Sequence, residues 1–131
     1  MTQTQTTNNV SQETPLQGIS PLPSRALVFL ETWKQGVELA GSSLFGCQAS
    51  SPQTAIHWQH LQPRLENMRK AISNRSAADS AFIAAMASFF NDAEGQRLMT
   101  KAGVTFGGAA AVMSREQRQI ISSLLINYTG W

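Results

Sequence analysis

Between Ser76 and Phe90 the polar half of the usual helical pattern drops out. The segment reads SAADSAFIAAMASFF, and past its first turn only Ser88 interrupts a run of Ala, Phe, Ile and Met. A helix of this composition is apolar around its whole circumference and needs cover on every side. The pattern therefore predicts a central helix over 76–90, and the stretches around it are expected to supply the cover.

The flanking stretches have the complementary, one-sided pattern. Ser24 predicts an N-cap for a helix to about Ala40, since Ala26, Leu30, Trp33, Val37 and Ala40 recur at steps of three and four, with Glu31, Lys34, Gln35 and Glu38 opposite. Gly41 ends it, and Leu44 and Phe45 are placed to plug the core from the following loop. Ser51-Pro52 is a good helix start. From there Trp58, Leu61, Leu65, Met68 and Ile72 keep one apolar phase across Pro63, which predicts a single helix kinked at the proline.

Ser76 and Asp79 resemble a capping box at the head of the central helix, with Asp a shorter reach than the usual Glu or Gln. Asn91-Asp92 stops that helix and opens the next, to about Lys101, with Leu98 and Met99 inward and Gly103 as its C′ residue. Val104 to Ala111, VTFGGAAA, is compatible with a short extended piece or a helix start. Ser114 and Gln117 form a capping box ahead of Ile120, Ile121, Leu124, Leu125 and Tyr128. No segment alternates strictly over any length, and no period of about 20 to 50 residues repeats. The expected fold is all-α, about five helices packed around the central apolar helix in one domain over 24–131.

Ahead of that domain, residues 1–23 are rich in Thr, Gln, Asn, Ser and Pro. They hold too little apolar surface to offset the entropy of ordering them, so a disordered tail is expected. The chain's 131 residues suffice for one core without disulfides, and the lone Cys47 has no intrachain partner. The start has neither a basic residue nor an apolar run, and the longest apolar stretch falls short of the roughly 18 residues that span a bilayer. A soluble, cytoplasmic protein without a membrane partner is expected. The formal charge of +2 is too slight to point to a nucleic acid by itself.

Reactive constellations are sparse. His57 and His60, three apart, with Cys47 ten residues upstream, are the best metal candidates. They supply at most three ligands and no sequence feature names a fourth, so no metal or cofactor is expected. Cys47 has no local cation to activate its thiol as a nucleophile. Gly107-Gly108 lacks the following Lys of a phosphate loop. Arg64, Arg69, Lys70 and Arg75 cluster without forming one stripe along a helix and are expected on a solvated surface.

Two stretches suggest partners. Leu98 to Thr105, LMTKAGVT, followed by Ala109 and Val112, resembles the helix–turn–helix of bacterial repressors over about 20 residues, with Gly103 in the turn. The resemblance implies a DNA-binding regulator using residues 96–114, with Lys101, Thr105, Arg115 and Arg118 toward the nucleic acid. It departs at Met99, where a small residue is expected, and at Phe106, Gly107 and Gly108, which stand at the base-reading positions. At the other end of the chain, Gly130 is expected to reverse the backbone so that Trp131 lies over the core; exposed, Trp131 and Tyr128 would be anchors for a partner.

The reading that accounts for most of these features is a non-enzymatic helical interaction module, an adaptor, inhibitor or small subunit. Its partner is another protein or a second copy, and Phe106, Tyr128 and Trp131 are the expected contacts. The small DNA-binding regulator is the alternative.

Overall fold

The computed structural model describes residues 24–46 and 51–131, and the expectations for the tail and for Cys47 lie outside them. The described chain is all-α, with no strand. Six helices run in order: α1 Arg25–Ala40, α2 Leu65–Ile72, α3 Ala77–Phe90, α4 Asp92–Ala102, α5 Phe106–Val112 and α6 Arg115–Asn127. Three short 3₁₀ turns, Ser42–Leu44, Pro52–Thr54 and Trp58–Leu61, lie between α1 and α2.

Helix α3 is the hub. Every residue from Ser80 to Ala87 is buried, and α1, α2, α4, α5 and α6 all pack against it. Its N-terminus is capped by the Ser76 hydroxyl, which accepts from the Asp79 N–H at 3.1 Å. The expected capping box is only half made. The Asp79 carboxylate instead accepts from Gln117 Nε2 at 2.9 Å, a contact across 38 residues that ties α6 to the head of α3. Gln117 is itself buried, and its Oε1 accepts from the Ser114 N–H to complete the box that starts α6. Gln117→Ala is therefore expected to remove both contacts and lower stability by about 2 kcal/mol, measured by urea unfolding.

Side-chain caps start the other helices, at Ser24 and Asn91 where the sequence predicts them and at Thr105, which the sequence leaves undecided. Ser24 accepts from Leu27 N–H, Asn91 from Glu94 N–H and Thr105 from Gly108 N–H. Gly103 takes the left-handed conformation, φ 78°, that closes α4. Two arginines distant in sequence finish the work at C-termini, where exposed carbonyls favour a cation. Arg75 donates to Ala40 O at 2.7 Å, and Arg25 donates to Ile126 O and Tyr128 O, both at 3.3 Å.

The kinked helix through Pro63 is not formed. Gln62, held extended by the proline after it, Pro63 and Arg64 run alongside Leu44–Gly46 instead. Gly46 N–H donates to Gln62 O at 2.7 Å, and Arg64 N–H to Leu44 O at 2.8 Å. The apolar phase survived because Trp58 and Leu61 sit one 3₁₀ turn apart, and a spacing of three serves that turn as well as an α-helix. Val104 to Ala111, undecided in sequence, resolves into a two-residue link and α5.

Aromatic rings fill the space between α1 and the C-terminus. Trp33 is fully buried, stacks on Phe29 and donates from its indole to Leu61 O at 2.9 Å. Gly130, at φ 104°, reverses the chain so that Trp131 lies edge-on to Trp33, with centroids 4.8 Å apart. Trp131 is thus partly buried on the core, as its position after Gly130 suggests.

Candidate functional site

A wholly apolar helix demands cover all round, and on one side α3 is covered by a short helix of small residues. Helix α5 has seven residues, FGGAAAV, of which only Ala109 is buried. Two glycines and three alanines bring little side-chain volume. The result is an apolar groove between α4, α5 and α6 with Ala85 of α3 in its floor. It comprises two adjoining hollows of about 150 and 340 Å³, both lined by Ala85, Met99, Phe106, Ile121 and Leu125.

The rim is unusually apolar for a surface. Phe106 is 69% exposed, Leu125 54% and Tyr128 39%. Single exposed apolar residues are ordinary; several lining one depression mark an interaction site. Arg118 borders the smaller hollow alone and Asp92 the larger alone. The Ser88 hydroxyl in the larger hollow donates to Ala85 O at 2.6 Å, so it is already committed. The arrangement suits burial of apolar side chains flanked by charge; it offers no paired acid and base.

Of the three expected contacts, the groove brings together Phe106 and Tyr128. Trp131 is elsewhere, against Trp33 and Phe90, with its ring edge-on to both. Tyr128 joins the two regions, because its ring also lies 5.7 Å from that of Phe89 and 5.8 Å from that of Phe29. In the sequence pattern Leu125 falls on the buried side of α6, and nothing there marks Met99 or Ile121 as site residues. A signal was present in α6: Ile120, Ile121, Leu124, Leu125 and Tyr128 span a wider arc than one neighbouring helix covers.

The residues assigned to nucleic acid are spread over three places. Lys101 is exposed at the end of α4, Arg115 and Arg118 are exposed on α6, and Thr105 caps α5 through its hydroxyl. Helices α4 and α5 follow one another across the turn at Gly103, and α5 carries no charged residue. The cluster from Arg64 to Arg75 is partly consumed internally: Arg69 pairs with Glu94 at 3.1 Å, and Arg75 holds the end of α1.

His57 is the cap of the turn Trp58–Leu61. Its Nδ1 accepts from the Gln59 N–H at 3.1 Å, and its ring stacks on Trp58, centroids 4.2 Å apart. The His60 ring lies 6.3 Å from that of His57. Among the described residues no three His, Cys, Asp or Glu side chains gather as a metal site would require. No helix among them is long and apolar enough to cross a membrane.

No protein-family model, curated protein or solved structure matches the chain.

Proposed function

We propose that this protein is a non-enzymatic helical interaction module, working as an adaptor, inhibitor or small subunit through the groove between α4, α5 and α6. The observation that carries this reading is the exposure of Phe106 and Leu125 beside hollows that α5 is too small to fill. An apolar depression with projecting apolar side chains gains free energy when a protein surface excludes its water, and no cofactor is needed for that. The partner is another protein or a second copy of the chain. DNA is the alternative, favoured by the turn at Gly103 but not by α5, which has no side chain suited to a base edge or phosphate.

The test is to present the full chain with an extract of its native source and, separately, with labelled duplex DNA over a range of salt. A stoichiometric protein complex together with indifference to DNA is expected. Tight retention on DNA that weakens steeply with added salt would overturn the reading in favour of the regulator.

A further inference from the structure

The groove has the features of a surface that fits itself. Phe106 and Leu125 line both hollows and are each more than half exposed, so depressions and uncovered apolar side chains occur on one face. The charges are divided between its ends. Arg118 stands at the smaller hollow and Asp92 at the larger; both are exposed, and neither forms an ion pair among the described residues.

Consider a second copy turned by a two-fold axis through the middle of the groove. Symmetry places each contact twice, so the end bordered by Arg118 in each chain faces the end bordered by Asp92 in the other, and the exposed side chains of Phe106 and Leu125 lose their water between the two grooves. A foreign partner has to supply apolar side chains and a matching pair of opposite charges in reverse order. A second copy already has all of them, and a formal charge of only +2 sets up little repulsion between copies.

We propose that the groove between α4, α5 and α6 is the interface of a two-fold symmetric dimer of this chain. The proposal rests on the groove being a docking surface and names its occupant. Sedimentation of the full chain over about a hundredfold range of concentration is expected to show a reversible monomer–dimer equilibrium. Phe106→Glu, at an exposed first position of α5, is expected to raise the dissociation constant about a hundredfold with helix content unchanged.

The decisive experiment uses two charge variants. Asp92→Arg places cation against cation at both ends of the interface, and Arg118→Glu places anion against anion. Each alone is expected to weaken the dimer about tenfold or more. Mixed in equal amounts they restore attraction at both ends, so a heterodimer close to the original affinity is expected. The proposal is overturned by a chain that stays monomeric throughout, by a dimer that these substitutions leave unchanged, or by a mixture no tighter than its separate components. A monomer that still binds another protein through Leu125 removes the dimer and leaves the docking surface standing; absence of any groove-dependent association removes both.

Discussion

A Gly95→Ala chain is expected to unfold at a temperature lower by about 10 °C or more, out of proportion to the single methyl group added. Gly95 is buried on α4 where that helix crosses α3. A Cβ there would lie 2.5 Å from both Cα and Cβ of Ser88 and 2.8 Å from its backbone nitrogen. Backbone cannot rotate aside, so the two helices have to separate. Such overpacking costs about 3 kcal/mol or more, of which the better helix propensity of alanine returns about 1 kcal/mol.

Gly36→Ala provides the control. Its added Cβ meets Met86 Sδ and Cε at 2.6 Å, the mobile end of a thioether side chain. Met86 can change rotamer, so the expected net loss is below about 1 kcal/mol. Thermal and urea unfolding of both variants measure the difference, and equal losses would show that the contact of α3 with α4 is looser than described.

Trp33→Ala has the largest expected effect of any single truncation, about 4 to 5 kcal/mol. The side chain has no solvent exposure and touches three rings, those of Phe29 in its own helix, Phe45 in the loop and Trp131 at the C-terminus, while its indole donates to the Leu61 carbonyl. Removing it opens a cavity and leaves Leu61 O without its donor. Against a total stability of about 5 to 15 kcal/mol for a domain of this kind, the variant is expected to be largely unfolded at modest urea. Trp33→Phe keeps one aromatic ring while losing part of the indole's volume and its hydrogen bond, so an intermediate loss of about 2 kcal/mol is expected.

The parts of the architecture that local chemistry decides could be read from the chain. Ser24, Ser76 and Ser114 cap the helices they precede, Gly41 and Gly103 end the ones they follow, and the unbroken apolar run from Ala81 to Ala87 lies at the centre. Pro63 defeated the pattern because two kinds of helix share a spacing of three, and only the pairing of Leu44 to Gly46 with Gln62 to Arg64 separates them. Asp79 looked like a capping residue from four neighbouring positions; its actual partner, Gln117, comes from a helix much later in the chain.

The groove was less legible for the same reason. Leu125 repeats in phase with Leu124 and Ile121, and periodicity alone marks it as core. Its exposure follows from what faces it, the short α5 with its small side chains. Phe106 stands in a segment with no clear helical stripe and Tyr128 at the end of the stripe of α6, and both lie on the rim. Trp131 is folded against Trp33, because the turn at Gly130 directs it there.

Leu125→Asp tests the central claim most directly, that the groove is a working surface separable from the fold. Leu125 is more than half exposed, so the substitution is expected to change unfolding stability by less than about 0.5 kcal/mol. Association, whether with a second copy or with a protein captured from the native source, is expected to fall by about two orders of magnitude in affinity when a carboxylate is placed in the apolar hollow. Unchanged association by a variant of unchanged stability would contradict the account.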